Sequence, residues 1–390
     1  MGEMTKPRGP LICVVGARPN YMKMAPLIRA FRKRGDLPGV ALVHTGQHYD
    51  VDMNERLFAD LELPSPDINL EVGSGTHAVQ TAEIMRRFEP VIDDLAPSCV
   101  VVVGDVNSTL ACSIVAAKKR TPVAHVEAGL RSFDRDMPEE INRLLTDQIA
   151  DLLYTSERAG TDNLAREGIP AERVCFAGNV MIDSLLRHSD KAVSPAETLA
   201  RNGVPADVLD VASGFGVVTL HRPSNVDEPD SLAQALELLR DVSRRIPLIW
   251  PVHPRARANI ERFALSPLLA GARVTLLAPQ GYLEMLGLLA NAKVVLTDSG
   301  GIQEETTSLS VPCLTMRDNT ERPVTVEQGT NTLVGRNRAH AVRCVEEILR
   351  TGGKRGRLPE LWDGRASERI ASHLAGWLEQ RHLGHVAVRA

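Results

Sequence analysis

The stretch VVLTDSGGIQEE, Val294 to Glu305, joins a β-branched apolar run to a Ser-Gly-Gly turn and the start of a helix. The first turn of a helix has backbone N–H groups without an intrahelical partner, and the helix dipole places positive charge there. Gly300 and Gly301 remove the side chains that would keep an anion away from these donors. Ser299 can cap the helix or bond the anion. A strand, a glycine turn and a helix in this order indicate a phosphate-binding α/β domain.

Two carboxylates, Glu304 and Glu305, follow one turn further into the same helix. Carboxylates beside a phosphate site repel the ligand unless they bond sugar hydroxyls, so the ribose of a nucleotide is a natural partner. The alternative interpretation of this segment is a plain Ser-capped helix whose glycines serve close packing.

The same rhythm of a short apolar run followed by a helical pattern extends along the whole chain, and it is typical of βαβ units with a parallel sheet. Helical patterns run, for example, from Met22 to Arg34 and from Asn107 to Lys119. The apolar runs begin at Leu11, Val40, Cys99, Pro122, Leu152 and Val174 in the first half and at Phe215, Pro247, Arg273, Lys293 and Pro312 in the second. We therefore predict an α/β fold with two Rossmann-like domains whose parallel sheets face a central cleft.

The length of 390 residues exceeds one ordinary hydrophobic core and predicts two domains. A polar stretch, Ser189 to Ser213, separates the halves and contains no strand-like run. We place the N-terminal domain at residues 8–188 and the C-terminal, nucleotide-binding domain at residues 189–365. The final amphipathic helix, residues 366–382, can cross back onto the first domain.

Composition excludes several classes of protein. A formal net charge of -4 gives no reason to expect a nucleic acid or an anionic membrane surface as partner. No apolar run is long enough to span a bilayer, and the N-terminus lacks the apolar core of a signal peptide, so we expect a cytoplasmic protein. The six cysteines are scattered without CxxC or Cys/His ligand spacing, and we expect no metal site.

Acids follow apolar strands at two points in the first half. Asp105 comes directly after a valine-rich run, and Glu127 lies at the end of the next one. An unpaired charge at such a place is expensive, so each acid has a hydrogen-bonding or catalytic task. Glu139 and Glu140 then open a helix, with Arg143 one turn beyond. Acids in a first helical turn are also ordinary partners of the helix dipole, which is the alternative interpretation for this pair.

Cations and a histidine occupy other strand ends. GARPNYMK places Arg18 and Lys23 around a helix start, where they suit a pyrophosphate, although Arg18 could instead pair with a carboxylate. His221 and Arg222 end the strand that begins at Phe215, and a neutral histidine beside phosphate can donate a proton to a leaving oxygen. Gln280, before the helix YLEMLGLLA, could meet a base or a sugar.

Eight motifs follow one another without large gaps from about Leu11 to Gly335: GARPNYMKMAPL, TGQHYD, GDVNST, HVEAGLRS, PEEINR, TLHRP, DSGGIQEET and NTERPVT. Together they resemble the bacterial and archaeal non-hydrolysing UDP-N-acetylglucosamine 2-epimerases. The resemblance implies a glycosyltransferase-B-like (GT-B-like) pair of domains, usually a homodimer. It also implies conversion of UDP-GlcNAc to UDP-ManNAc for surface polysaccharide pathways, with no NAD and no metal.

The same resemblance implies anti elimination of UDP to give 2-acetamidoglucal, followed by re-addition of UDP after a proton returns to the other face of C2. It places Asp105, Glu127, Glu139 and His221 in the catalytic set. The substrate-binding positions that it implies are Arg18, Lys23, Arg143, Arg222, Gln280, Met285, Ser299, Gly300, Gly301 and Glu305. Elementary chemistry agrees, because the C2 proton is poorly acidic and departure of UDP must lead, leaving oxocarbenium character that carboxylates stabilise.

The chain also departs from the family pattern. It has Asn20 and Met285 where many members have Glu and Phe, and Asp50 and Pro223 where the regulated members have Gln and Arg. Those regulated members bind a second UDP-GlcNAc as activator, so we predict weak or absent substrate activation here. The open alternatives are a GT-B glycosyltransferase, a hydrolysing epimerase that releases ManNAc and UDP, a 2-epimerase for another UDP-2-acetamido sugar, and a catalytically silent binding module.

Overall fold

The computed structural model describes residues 9–46, 57–205 and 214–389. The chain forms two compact units. One runs to Leu186 and takes up the chain again from Glu360, and the other is Arg187–Pro359. Each unit is built on its own parallel sheet.

The sheet of the first unit has seven strands in the order β3-β2-β1-β4-β5-β6-β7, and every neighbouring pair is parallel. The strands are β1 Gly9–Val15, β2 Val40–His44, β3 Ile68–Asn69, β4 Pro97–Val103, β5 Val123–Ala128, β6 Leu152–Thr155 and β7 Val174–Phe176. The helices are α1 Arg18–Arg32, α2 His77–Leu95, α3 Asn107–Lys118, α4 Pro138–Ile149, α5 Arg158–Arg166 and α6 Val180–His188. The central strand β4 is almost wholly apolar because helices cover both faces of a parallel sheet.

The sheet of the second unit has six strands in the order β10-β9-β8-β11-β12-β13, again all parallel. The strands are β8 Gly216–Thr219, β9 Leu248–Pro251, β10 Val274–Leu277, β11 Val294–Thr297, β12 Cys313–Thr315 and β13 Asn331–Leu333. The helices are α7 Pro195–Arg201, α8 Pro223–Val226, α9 Pro229–Ser243, α10 Pro254–Arg262, α11 Tyr282–Asn291, α12 Gly300–Ser308, α13 Pro323–Glu327 and α14 Arg338–Thr351. Short 3-10 turns lie at Ala171–Arg173, Ser189–Lys191 and Ser266–Leu269.

The last helix, α15 Ala366–Arg389, packs against α1 of the first unit. Its first turn is bonded to that unit as well, because Asp183 accepts the backbone N–H of Ala366 at 3.1 Å and of Ser367 at 2.7 Å. A carboxylate at a helix N-terminus satisfies donors that have no intrahelical partner. None of the helices in the described part of the chain combines the length and the apolar character needed to cross a membrane.

The predicted α/β class is confirmed, and each apolar run named above forms a strand. The first helix begins earlier than predicted, at Arg18 rather than Met22. The cause is local: the side chain of Asn20 accepts the backbone N–H of Gly16 at 3.2 Å and of Ala17 at 3.1 Å, which stabilises the turn into α1. Strands β3 and β13 were not predicted, because they are short and contain asparagine rather than an apolar run.

In each sheet, the direction in which successive strands are added reverses at one place. β1 lies beside β4 in the first sheet, and β8 lies beside β11 in the second. Ligands of open α/β sheets bind beyond the carboxyl ends of the strands at such a switch point. The chain leaves these four strands at Gly16, Gly104, Leu220 and Asp298. Four of the predicted site residues follow within two positions of these points: Arg18, Asp105, His221 and Ser299.

Candidate active site

Four charged side chains of the first unit come together at its switch point. Lys23 of α1 places Nζ 2.6 Å from Oε1 of Glu127, at the end of β5, and the two side chains are 8% and 3% exposed. Arg143 of α4 donates from Nη1 to Oδ2 of Asp105. Gly104, which directly precedes Asp105, lies beside the first pair, because a Cβ at that position would lie 3.1 Å from Lys23 Nζ and 3.6 Å from Glu127 Oε1. We call Lys23, Asp105, Glu127 and Arg143 the carboxylate cluster.

Glu127 has an unusual backbone. Its φ is 73°, and the register of β5 against β6 shifts between Val126 and Ala128. An L-residue in the left-handed region costs about 1–2 kcal/mol, so the surrounding contacts must hold it there. Residues under such strain concentrate at functional sites, where the strain fixes the direction of a side chain.

The two neighbouring acids of α4 differ in their surroundings. Glu140 accepts the backbone N–H of Ser132 at 3.0 Å and of Phe133 at 2.9 Å, and Arg143 donates to it at 2.6 Å. Burial alone would raise the pKa of Glu140, but these donors hold it below its ordinary value. Glu140 therefore anchors the loop after β5. Glu139 is half-buried, and no described residue bonds its carboxylate, which leaves it the freer acid for chemistry.

Two asparagines complete the frame of the carboxylate cluster, and sequence reasoning did not identify either role. Asn20 donates to the carbonyl of Val103 at 2.9 Å and so ties the turn after β1 to the end of β4. Asn142 donates to the carbonyl of Asp105 at 2.8 Å. Only their motifs, RPN and EEINR, could have signalled them. The side chain of Arg18 lies outside the described residues, as does the TGQHYD motif from Gln47 onward.

In the second unit, a histidine and an aspartate from adjacent strand ends are joined. Nδ1 of His221, after β8, lies 3.0 Å from Oδ1 of Asp298, after β11. The second oxygen of Asp298 accepts the backbone N–H of Arg222 at 2.9 Å and the side chain of Asn225 at 3.1 Å. Burial would raise the pKa of Asp298, but His221 and these donors hold it below its ordinary value. The ionised Asp298 therefore fixes the orientation of the His221 ring.

A carboxylate with two arginines lies beside the N-terminus of α12. Oε1 of Glu321 is 3.2 Å from Nη2 of Arg222, and its Oε2 is 2.8 Å from Nη1 of Arg317. A Cβ on Gly300 would lie 2.6 Å from Oε1 of Glu321. A side chain here would force the Glu321 carboxylate to shift, so close packing is one reason for glycine at this position, as the alternative interpretation of the segment had it. We call His221, Arg222, Asp298 and Glu321 the histidine cluster.

Ser299 is the N-cap residue of α12, and its side chain makes no capping bond to the described part of the helix. Its backbone N–H is bonded to Thr297 Oγ1 at 3.0 Å. Gly300 and Gly301 begin the helix, where backbone N–H groups have no intrahelical partner. The hydroxyl of Ser299 and these N–H groups are able to receive an anion, and the anion site expected here from the sequence stays a prediction.

The remaining predicted nucleotide contacts have partners within the second unit. Glu305 is buried, and this burial with the nearby carboxylate of Glu304 raises its pKa to about 8, although the phenol of Tyr282 lowers it. Glu305 is therefore a neutral acid near pH 7, able to donate a hydrogen bond. Gln280 forms a two-bond amide pair with Asn202, at 3.2 and 3.0 Å. Met285 is half-buried against the apolar core of this unit.

The two clusters suit different chemical steps. The carboxylate cluster, with Glu139, offers several acids to take up and return a proton. The histidine cluster, with the start of α12, offers cations, backbone N–H groups and an oriented imidazole to a phosphate. Within the described residues, no three His, Cys, Asp or Glu side chains are grouped to ligate a metal ion.

Comparisons with known proteins agree along most of the chain. The family model described as UDP-N-acetylglucosamine 2-epimerase matches residues 30–375. A UDP-N-acetylglucosamine 2-epimerase of Methanocaldococcus jannaschii is 41% identical over 364 residues, which cover 92% of this chain and 97% of the relative. A UDP-2,3-diacetamido-2,3-dideoxy-D-glucuronate 2-epimerase of Pseudomonas aeruginosa is 40% identical over 369 residues, which cover 94% and 99%.

A solved structure is similar as well. The crystal structure of the Methanocaldococcus jannaschii UDP-GlcNAc 2-epimerase in complex with UDP-GlcNAc and UDP gives a TM-score of 0.85 at 40% identity and covers 94% of this chain and 99% of that one. This likeness confirms the predicted GT-B-like class of fold.

Proposed function

The chain belongs to the UDP-N-acetylglucosamine 2-epimerase family, and we propose that it interconverts UDP-GlcNAc and UDP-ManNAc without releasing the sugar. The observation that carries the proposal is the carboxylate cluster, in which a strained Glu127 and a partly buried Asp105 are each held by a cation. A protein that binds a nucleotide sugar without catalysis has no need of several acids beside one another.

In the proposed reaction, the bond from C1 to the UDP oxygen breaks and its electrons leave with UDP. A base removes the C2 proton, and the electrons of the C2–H bond form the double bond between C1 and C2. The product of this step is 2-acetamidoglucal. A proton then returns to the opposite face of C2, and UDP adds again to C1. Departure of UDP gives the ring oxocarbenium character, which negative carboxylates stabilise.

We assign the acids Asp105, Glu127 and Glu139 to the exchange of the C2 proton. Two acids are needed because the proton leaves one face and returns to the other, and each well-placed acid or base contributes roughly 100- to 10,000-fold to the rate. The cations Lys23 and Arg143 pair with these carboxylates and hold them in one orientation.

We assign the diphosphate to the histidine cluster and the start of α12. Arg222 and the N–H groups of Gly300 and Gly301 neutralise the phosphate charge, with the hydroxyl of Ser299 as a further donor. The imidazole of His221, held by Asp298, protonates or orients the departing oxygen. The neutral carboxyl of Glu305 suits a hydrogen bond to a ribose hydroxyl.

The test is incubation with UDP-GlcNAc in D2O, followed by NMR and mass spectrometry of the products. Deuterium at C2 of both UDP-GlcNAc and UDP-ManNAc is the expected result. Asp105→Asn and Glu127→Gln are expected to abolish label uptake and keep UDP binding. The matched control is Asp36→Asn, which removes an exposed acid of the first unit and should leave exchange unchanged.

Other outcomes overturn parts of the proposal. Free ManNAc with UDP would show a hydrolysing enzyme, and unlabelled, unchanged substrate would remove UDP-GlcNAc as substrate. The relative from Pseudomonas aeruginosa supports a second candidate, a 2-epimerase for a UDP-2,3-diacetamido sugar. Exchange at C2 with that sugar and none with UDP-GlcNAc would establish it. The homodimer expected from the family resemblance stays a prediction, which sedimentation velocity on the full chain measures.

A further inference from the structure

His125 is a buried ring in which both nitrogens face hydrogen-bond acceptors. It lies in β5, two residues before Glu127, and is 0% exposed. Nδ1 lies 2.7 Å from Oδ1 of Asp147, and Nε2 lies 2.8 Å from the carbonyl oxygen of Gly104. A carboxylate and a carbonyl can only accept, so the ring satisfies both partners when both nitrogens carry a proton. The geometry therefore fits an imidazolium ion.

Asp147 of α4 supplies the compensating charge. Its Oδ2 accepts the backbone N–H of Gly129 at 3.0 Å and lies 2.7 Å from Nη2 of Arg131. Burial would raise the pKa of Asp147, but His125 and Arg131 hold it below its ordinary value. Arg131 in turn pairs with Glu167 at 2.7 Å. The carboxylate of Asp147 therefore links the ring of His125 to Arg131 and to the backbone of Gly129.

The bonds of this group end on the two turns that follow β4 and β5. Gly104, whose carbonyl meets His125, directly precedes Asp105 and has a φ of 66°. Gly129, whose N–H meets Asp147, comes two residues after Glu127 and has a φ of 80°. Glu127 itself has a φ of 73°. The two glycines adopt this conformation without strain, whereas the left-handed backbone of Glu127 persists only where its surroundings over-determine it.

We propose that His125 is a positioning residue: with Asp147 it forms a charged clamp on the carbonyl of Gly104 and the N–H of Gly129, and this clamp fixes the directions of Asp105 and Glu127. The proposal rests on the proposed function for its kinetic consequence. The clamp touches neither acid directly. It acts through the backbone that carries them, and it is separate from Lys23 and Arg143, which bond the acids themselves.

The first test is the steady-state kinetics of His125→Gln. A Gln side chain has one nitrogen donor group in place of two opposed ring nitrogens, so it cannot bond both Asp147 and Gly104. A displacement of the acids by about 1 Å is expected to lower kcat on the order of 100-fold. KM for UDP-GlcNAc and the affinity for UDP should stay within about threefold of wild type, because the proposed phosphate contacts belong to the other unit.

Asp183→Asn is the matched control. Asp183 is a buried carboxylate of the same unit that also accepts hydrogen bonds from backbone N–H groups. Its donors are Ala366 and Ser367, at the start of α15 and away from the clamp. The Asp183→Asn variant should be less stable than wild type and should keep the wild-type kcat per folded enzyme. If His125→Gln folds and keeps wild-type kcat, the clamp is structural and the proposal is wrong. If that variant does not fold, Asp147→Asn, which keeps the shape of the side chain, must show the same selective loss of kcat.

The second test does not depend on activity. In the NMR spectrum of histidine-labelled protein, one residue should show an N–H proton on both ring nitrogens, each slow to exchange with solvent because the ring is buried, and these signals should vanish in His125→Gln. A neutral tautomer at position 125 would overturn the clamp. A charged His125 in a protein that exchanges no C2 proton would instead overturn the proposed function alone.

Discussion

Asp298 bonds His221 through both the ring and the main chain. Its Oδ1 lies 3.0 Å from the ring Nδ1, and both of its oxygens lie 3.1 Å from the backbone nitrogen of His221. The carboxylate is fully buried, whereas the imidazole side chain is 39% exposed. An ionised carboxylate accepts the proton on Nδ1, so Nε2 is the ring atom through which His221 exchanges a proton with a ligand.

Replacement of Asp298 by Asn should therefore disable His221. The amide can present its N–H to Nδ1 and favour the other tautomer, with the proton on Nε2. We expect kcat to fall by about 100-fold or more, and UDP affinity, measured by calorimetry, to change much less. Asp227→Asn is the control, because Asp227 is another acid of this unit, paired with Arg255. An unchanged kcat in Asp298→Asn would exclude a role for the pair.

The ion pair of Lys23 and Glu127 should show strong coupling in the free energy of unfolding. Lys23→Met leaves the buried carboxylate of Glu127 without the cation 2.6 Å away, and we expect a loss of about 3–5 kcal/mol in denaturant unfolding. The double variant Lys23→Met with Glu127→Gln should recover part of that loss. Lys119→Met, which breaks an exposed pair with Asp93, should have no measurable effect. Additive losses in the double variant would contradict the coupling.

Gly300→Ala should weaken UDP binding. The added methyl would lie 2.6 Å from Oε1 of Glu321 and would force that carboxylate away from Arg222 and Arg317. We expect the dissociation constant for UDP to rise about tenfold or more, which corresponds to about 1.4 kcal/mol. Gly35→Ala is the control, because a Cβ at that position meets no atom within 4 Å. Equal UDP affinity in the two variants would show that this corner of the site tolerates a side chain.

Glu305 should make stability fall with rising pH. Its pKa is about 8 in the folded protein against an ordinary value of 4.5, so the folded state keeps a proton that the unfolded state has released between these values. Stability from this group is therefore present at pH 4.5 and is lost as the pH approaches 8. Glu305→Gln should remove this slope and be more stable than wild type at pH 8, on the order of a few kcal/mol.

Glu304→Gln is the control for that measurement. Glu304 accepts from Nε of Arg322 at 2.7 Å, and its loss leaves a buried guanidinium without that partner. This variant should be less stable than wild type at pH 8, the opposite sign to Glu305→Gln. Denaturant unfolding at several pH values measures both, and a Glu305→Gln variant that is destabilised at pH 8 would show that the native protein uses the ionised acid.

The departures from the regulated family pattern predict simple saturation kinetics. Pro223 begins α8 directly after Arg222 and supplies neither a side-chain donor nor a backbone N–H. Initial rates against UDP-GlcNAc concentration should therefore follow a hyperbola. A sigmoidal curve would show substrate activation, and it would direct attention to Asp50, which lies outside the described residues.

The strands of both sheets could be predicted from the sequence because a short, continuous apolar run fits few structures other than a strand of a parallel sheet that is covered on both faces. β4 is an example, since its run of valines cannot be exposed. β13 was missed because Asn331 starts it, and the pairing with β12 rather than its own composition makes it a strand. Local pattern is sufficient for buried strands and insufficient for short edge strands.

For the candidate site, the sequence could indicate which strand ends carry functional side chains, but not which side chains pair with one another. Asp105 and Glu127 were identifiable because acids at the end of apolar runs are costly without a purpose. Their partners were not, since Lys23 lies 104 residues before Glu127 in the chain and only the fold brings them together. Asp298 was overlooked beside the more obvious glycine turn, although a buried acid after β11 carries the same signal as Asp105.

The left-handed backbone of Glu127 has a consequence for attempts to engineer the protein. Glycine at this position would relieve about 1–2 kcal/mol of strain but would leave the buried ammonium of Lys23 without its carboxylate, at a cost of about 3–5 kcal/mol, so a screen for heat resistance would retain the acid unless Lys23 is replaced as well. Thermal tolerance and turnover are thus opposed only where the two residues are replaced together, and stabilised variants with changes at both positions should be sorted by turnover.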